Sequence, residues 1–252
     1  MRFFKQRDEF DMNGFTILKQ IVPEGVLEEL SKLHARLVVK NQAKSDQVLF
    51  THTKAPKETP HLDVLMNQWL NPHRLDGSFS SKDCADFLNE IAEEFFKMEM
   101  NLYQDLVLSK SHSHQEFPWH QDSSYWPIEF KEGATFWIPL VDVDAHNGAL
   151  ELATDSPLSP LSAVNLHTGE RQDNSGYHSP ERTFTAIMKK GDVLVIHPNT
   201  LHRSGRNNSE IPRTAYACIF LDTSAYWNHL IAPNHPMCKV TTNGHPLVQV
   251  GE

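Results

Sequence analysis

From about residue 100 the chain is written as short apolar segments cut apart by turn residues, and this punctuation constrains the fold more than any other feature of the sequence. The segments are LYQDLVLSK, PWHQDSSYW, ATFWIPLVDV, GALELAT, RTFTAIMKK, GDVLVIHP and RTAYACIFLD. Each is rich in β-branched or aromatic residues, and Gly, Pro, Asn and Asp separate them, which is how strands and tight turns are specified. Many short strands in one run predict an all-β barrel or sandwich, of which the jelly roll is one form. Upstream the period changes. Residues 14–19, GFTILK, predict a strand. Pro23 and Glu24 open a helix in which Val26, Leu27, Leu30, Leu33 and Leu37 recur at three- and four-residue steps. Residues 41–80 are polar and broken by prolines, which predicts mostly irregular structure. A second helix is expected from about Asp83 to Met98, capped by Ser80 or Ser81, with Phe87, Leu88, Ile91, Ala92, Phe95 and Phe96 as its buried stripe.

Helices come first, strands follow, and no linker separates them. The expected organisation is therefore a single domain over 1–252, mainly β with flanking helices. N-terminal helices occupy about 1–100, a jelly-roll core about 101–222, and a C-terminal segment 223–252 has no assigned role. Residues 156–183 form a long polar insert with three prolines and two glycines, a composition expected of a lid or binding loop.

Composition excludes several classes. The 23 basic against 32 acidic side chains leave a net charge of −9, opposite to the basic face of a nucleic-acid binder. Aromatic residues at 10% can fill a core, which argues against intrinsic disorder. No apolar run approaches the roughly 18 residues of a membrane span. The start, MRFFKQRDEFDMNGF, has no apolar stretch of the kind that directs secretion. Three widely spaced cysteines, Cys84, Cys218 and Cys238, fit a reducing compartment. The expected location is cytoplasmic.

The residues able to carry chemistry begin with His120-Gln121-Asp122. On a strand, positions two apart share a face, so the imidazole and carboxylate are expected to point the same way. His202 follows in HPNTLHRSGRNNSEIPR. Two histidines and one carboxylate make the facial triad of non-haem Fe(II) oxygenases and leave three positions open, two for a bidentate 2-oxo acid and one for dioxygen. Arg213 starts the strand RTAYACIFLD and shares a face with Ala215, Ala217 and Ile219. An arginine with small neighbours can hold a carboxylate by a bidentate pair, and Ser204 can add a hydroxyl; the alternative is an ordinary strand-end arginine in solvent. His197 rivals His202 as the distal ligand; the Ser204, Gly205 and Arg213 pattern after His202 favours the latter, and leaves His197 as a packed or supporting histidine. His112 and His114 share a face but lie in a polar turn, and Asn147-Gly148 is a hairpin signal.

The run from Leu102 to Asp222 resembles the phytanoyl-CoA dioxygenase family of Fe(II)/2-oxoglutarate oxygenases. The resemblance is carried by LVLSKSHSHQEFPWHQDSSYW, ATFWIPLVDVDAHNGALELATDSP and GDVLVIHPNTLHRSGRNNSEIPRTAYACIF, and the earlier GFTILKQIVPEGVLEELSKLH matches the family's opening strand and helix. It implies a double-stranded β-helix (jelly-roll, cupin-like) core. It implies Fe(II) on His120, Asp122 and His202, with 2-oxoglutarate and dioxygen as cosubstrates. Arg213 and Ser204 would hold the distal carboxylate, Trp137 would flank the cosubstrate, and Gln104 and Lys110 would contact it or order the site. Thr154-Asp155-Ser156-Pro157 departs from the Pro-Gly-Ser-His turn common in the family, which leaves the substrate class open. Tyr125, Trp126, His178 and Arg182 are candidate substrate contacts, with packing or surface as the alternative.

The expected activity is hydroxylation of an unactivated C–H bond of a small molecule, with succinate and CO2 as co-products. An acidic chain without a Lys/Arg cluster for phosphates points to a natural-product intermediate or an amino-acid-like compound rather than an acyl-CoA. The alternatives are the same iron chemistry ending in desaturation, ring closure or halogenation, and a non-catalytic cupin-like binding protein. Asp122 argues against halogenation, and the complete ligand set argues against the binding protein.

Overall fold

The first strand is preceded by a helix that has no apolar period. In the computed structural model, which describes residues 2–43, 49–53, 64–72, 82–112, 114, 116–154, 180–233 and 235–247, α1 (Phe4–Asn13) buries Phe10 and ends at Gly14. Gly14 has φ 79° and donates its N–H to the Phe10 carbonyl, the left-handed C-cap that glycine adopts without strain. Phe10 meets Phe95 and Phe96 edge-on at 5.3 and 5.9 Å between ring centroids. Phe10, with buried Phe3 just before the helix and an Arg7–Glu132 ion pair at 3.1 Å, docks α1, and no hydrophobic pattern announces it.

β1 (Phe15–Leu18) and α2 (Glu24–Ala43) follow as the sequence predicts. Residues 41–80 correct the expectation of irregular structure, because they contain β2 (Leu49–Thr53) and β3 (Val64–Leu70). The pairing partner of β3 is distant in sequence: Asn67 to Leu70 lie opposite Ser109 to Leu106 of the later strand β4 (Met100–Lys110). Asn67 and Gln68 interrupt the apolar alternation that would have marked β3. α3 (Lys82–Phe96) precedes β4 and buries Leu88, Ile91, Ala92, Phe95 and Phe96. Ser80 and Ser81, the expected caps, lie outside the described residues.

The remaining strands are β5 (Phe117–His120), β6 (Ile128–Glu129), β7 (Gly133–Pro139), β8 (Leu150–Ala153), β9 (Thr183–Thr185), β10 (Val193–Ile196), β11 (His202–Ser204), β12 (Arg213–Asp222) and β13 (Tyr226–Trp227). Several expected strands are shorter than written, two of them markedly. PWHQDSSYW is a strand only to His120 and then turns into a 3₁₀ helix, Asp122–Tyr125. RTFTAIMKK keeps Thr183–Thr185, with Met188 bridging to Val143.

A seven-stranded antiparallel sheet has the order β1-β10-β7-β12-β4-β3-β2, and a four-stranded sheet has the order β5-β11-β8-β9. Together they form a jelly roll. β12 lies at its centre, with all ten residues buried, and alternation sorts its side chains. Tyr216, Cys218 and Phe220 join the cluster under the helices with Phe95, Phe96 and Leu30. Ala215, Ala217, Ile219 and Leu221 join the cluster between the sheets with Trp137, Leu150, Leu152 and Leu194. The helices thus cover the outer face of the large sheet and leave the inner face for the site. Among the described residues no helix is long and apolar enough to cross a membrane.

Candidate metal centre

His120 closes β5 and His202 opens β11, and the antiparallel register sets them directly opposite one another. Their ring centroids are 4.2 Å apart. Each Nδ1 faces a backbone carbonyl two residues earlier, His120 that of Pro118 and His202 that of Thr200, both at 2.9 Å. A carbonyl only accepts, so each Nδ1 is the donor and each neutral ring carries its lone pair on Nε2.

Asp122 reaches the same point by a route the sequence does not display. The chain leaves β5 after His120, and Asp122 is the first residue of the 3₁₀ helix rather than a second strand position. Its Oδ1 stands 3.8 Å from His120 Nε2 and 3.6 Å from His202 Nε2. Both distances are too long for hydrogen bonds. The three donor atoms lie within 4.8 Å of one another, and this is the one such group found among the described residues. The outer oxygen, Oδ2, accepts a 2.7 Å hydrogen bond from Thr135 on β7.

The two segments that carry these side chains are laced together from behind. Buried Gln121 donates to the Asn199 carbonyl at 2.5 Å, and Ser123 N–H donates to the Pro198 carbonyl at 3.1 Å. The Gly14 carbonyl accepts from His197 N–H at 2.8 Å and from Thr200 Oγ1 at 2.7 Å. The cap of α1 thereby supports the turn that delivers His202. His197 itself packs 5.7 Å from the Phe10 ring and accepts from Asn199 N–H. Burial, aided by the Arg7 charge and opposed by Asp11, lowers its pKa to about 4.

Among the described residues Arg213 is the largest fully buried side chain, at 1% exposure, and its Nε and Nη2 have no hydrogen-bond partner there. Burial lowers its pKa to about 10. The guanidinium lies 5.4 Å from the Trp137 ring centroid. Trp137 is opposite Ala217, and Thr135 is opposite Ile219. The arginine therefore extends along the inner face of β12 toward the end where Thr135 holds Asp122. Ala215 and Ala217 leave that face low. An unpaired buried cation is costly, and an anion beside it would remove the cost.

Lys110 is opposite Arg213 and is also fully buried. Its Nζ donates to the carbonyls of Ser204, at 3.2 Å, and Gly205. Burial and the neighbouring Arg213, against a smaller opposing effect of Glu116, lower its pKa to about 6. Lys110 thus ties β4 to the end of β11. Ser204 is buried on β11. Gln104 sits opposite Ile219, next to a register shift in β4, and is half-buried.

Of the candidate substrate contacts, Tyr125 is half-buried with its ring 6.0 Å from that of His120. Trp126 is buried against Tyr103 at 5.4 Å, in the cluster between the sheets. Arg182 is exposed, and His178, like residues 156–179 of the insert, lies outside the described residues. His112 and His114 bond separate partners, the Ser209 carbonyl and the Ser111 N–H. Thr135, Gln121 and Gly14 carry no sequence signal for their roles. The C-terminal segment, unassigned from sequence, pairs β13 with β6 just after the 3₁₀ helix, and Trp227 stacks edge-on against Tyr103 at 6.3 Å.

Donors of this kind, borne on facing strands of a jelly roll, define a class: the non-haem oxygenases whose iron takes two imidazoles and one carboxylate. The description Phytanoyl-CoA dioxygenase (PhyH) matches residues 10–215, and the chain belongs to that family of 2-oxoglutarate-dependent iron oxygenases. The peroxisomal phytanoyl-CoA dioxygenase of Rattus norvegicus is 25% identical over 231 residues, 85% of this chain and 67% of the relative. The L-proline trans-4-hydroxylase of Streptomyces griseoviridis is 24% identical, over 64% of this chain and 68% of its own. Against the Bos taurus phytanoyl-CoA dioxygenase the match spans only 35% of that protein's length. The epimerase SnoN, solved in complex with Fe3+, alpha ketoglutarate and nogalamycin RO, superposes with a TM-score of 0.72 at 16% identity, over 97% of this chain and 93% of its own.

Proposed function

We propose that the protein is an Fe(II)/2-oxoglutarate-dependent dioxygenase that hydroxylates an unactivated C–H bond of a small molecule. The observation that carries this reading is the pairing of two features on one inner face. His120, Asp122 and His202 converge with their donor atoms within 4.8 Å, and Arg213 lies buried with Nε and Nη2 unpaired among the described residues. The donor set suits Fe(II), and the orphaned guanidinium suits the distal carboxylate of a 2-oxo diacid.

When bound, iron and 2-oxoglutarate supply the oxidation: dioxygen is consumed, the oxo acid leaves as succinate and CO2, and one oxygen atom enters the substrate. The chain's own part is positional. His120 and His202 present Nε2 because their Nδ1 protons are held by backbone carbonyls. Asp122 contributes the negative charge. Arg213 receives the carboxylate, with Trp137 against the guanidinium and Ser204 on β11 of the facing sheet. Lys110 keeps the end of β11 in place. Tyr125, beside His120, is the described side chain best placed to meet substrate. The net charge of −9 favours an amino-acid-like or natural-product substrate over a polyphosphate thioester.

The test is anaerobic loading of the full chain with Fe(II), followed by 2-oxoglutarate, oxygen and a panel of small molecules, with succinate and product mass measured. Succinate release with a product heavier by one oxygen atom supports the reading. Succinate release with loss of two hydrogens, or with an isomer, assigns desaturation, ring closure or epimerisation to the same centre. No iron uptake and no succinate would refute it.

A further inference from the structure

We propose that Thr135 is a positioning residue for the metal, and that its hydroxyl determines which oxygen of Asp122 faces the two imidazoles. The inference rests on the iron reading above and deepens it. Thr135 is buried at 6% exposure in the middle of β7, between Ile219 of β12 and Ile196 of β10. A hydroxyl on that apolar inner face needs a partner, and Asp122 Oδ2 supplies it at 2.7 Å. An ionised carboxylate can only accept, so the threonine proton points at Oδ2.

The consequence falls on the other oxygen. With Oδ2 tethered, Oδ1 is held toward His120 Nε2 and His202 Nε2, at 3.8 and 3.6 Å. The tether is stiff at both ends. Threonine is β-branched, and its χ1 is restricted. The backbone of the 3₁₀ helix is fixed by Ser123 N–H on the Pro198 carbonyl. A carboxylate presented through one oxygen uses a single coordination position. A carboxylate free to turn can offer both, taking a second position that a chelating 2-oxo acid needs. Thr135 is thus assigned two effects: it pre-orients the ligand, and it keeps the carboxylate monodentate. Neighbouring Trp137 lies against the Arg213 guanidinium, so one strand orients both the metal ligand and the arginine proposed for the cosubstrate.

The experiment uses the full chain, with anaerobic Fe(II) binding measured by equilibrium dialysis for wild type, Thr135→Val and Thr135→Ser. Valine keeps the shape and removes the donor; serine restores the donor. The expected result is a dissociation constant raised 10- to 100-fold in the valine variant, the usual effect of losing a hydrogen-bond partner of a metal ligand. The serine variant should return to within about threefold of wild type. The metal-free proteins should melt together, so a merely structural role predicts no such pattern. A second readout is the visible charge-transfer band of the iron complex with 2-oxoglutarate, which should weaken or shift in valine and recover in serine. Thr135→Ala, which also lacks the hydroxyl, serves the same comparison should valine fail to fold. Equal affinity and an unchanged band in a folded hydroxyl-free variant overturn the positioning role. A wild-type chain that binds no Fe(II) overturns the iron reading, and the role of Thr135 with it.

Discussion

His120 and His202 are cross-strand partners: the register of β5 on β11 sets them opposite one another, with ring centroids 4.2 Å apart. Eighty-two positions of chain separate them in sequence, and only the pairing of two short strands makes them neighbours. A one-residue slip would turn His202 to the other face of the sheet. The lacing by Gln121, Ser123 and Gly14 opposes that slip.

Arg213→Met should uncouple stability from cosubstrate binding. A buried guanidinium with two nitrogens unpaired among the described residues destabilises the metal-free fold, so the variant should melt at or above the wild-type temperature. Its apparent KM for 2-oxoglutarate should rise about 10- to 100-fold, equivalent to the loss of one or two charge-assisted hydrogen bonds, while Fe(II) binding persists. Arg213→Lys should recover only part of the affinity, because an ammonium lacks the planar fork. Calorimetry and succinate assays check both; an unchanged KM in the methionine variant removes Arg213 from the site.

Asp122→Ala should lower iron content and abolish succinate release, because it deletes the one anionic ligand. Asp122→Glu keeps the charge but displaces it by a methylene, and should retain some metal with little turnover. Iron analysis of the isolated proteins decides. Wild-type iron and turnover in the alanine variant would exclude Asp122 as a ligand.

His197 should make the fold acid-sensitive. Its folded pKa is about 4, lowered mainly by burial, against about 6.5 in an unfolded chain. The neutral form is the one that fits, so stability is fully present above about pH 6.5 and is lost as pH falls toward 4. The loss is on the order of 2 kcal/mol at pH 4.5. His197→Asn retains an acceptor for the Asn199 N–H but does not titrate there, and should flatten that part of the profile. Urea denaturation at pH 7 and pH 5 measures it, and parallel profiles for the two proteins would rule the histidine out.

Gly148→Ala should damage the site through the backbone. Gly148 has φ 89°, and an added Cβ would stand 2.8 Å from the Gly205 carbonyl and 3.4 Å from Lys110 Cδ. Strain of this kind costs about 1–3 kcal/mol. Because Lys110 donates to the same Gly205 carbonyl, the variant should also bind 2-oxoglutarate less well. A melting temperature and KM equal to wild type would show that the turn has room to adjust.

The sequence by itself determined the strand grammar of the core, the amphipathic stripes of α2 and α3, and the short list of donors and cations. These are local properties, written as alternation, helical period and spacing, and they offer His120, Asp122, His202 and Arg213 as candidates that the family resemblance then singles out. It did not determine that α1 exists, since a few contacts without helical period dock it, nor that β2 and β3 form, since β3 is specified by its pairing with β4 rather than by alternation in its own sequence. It placed Asp122 on a strand, whereas the fold delivers it through a 3₁₀ turn. Only the tertiary structure decided that Thr135 holds the outer oxygen of Asp122, that the Gly14 carbonyl supports the turn before His202, and that Lys110 bonds the carbonyls of Ser204 and Gly205. Each of these is a contact between segments far apart in the chain. Hydrogen bonds of that kind leave no periodic trace in a sequence, because any polar residue at the right point in space can make them.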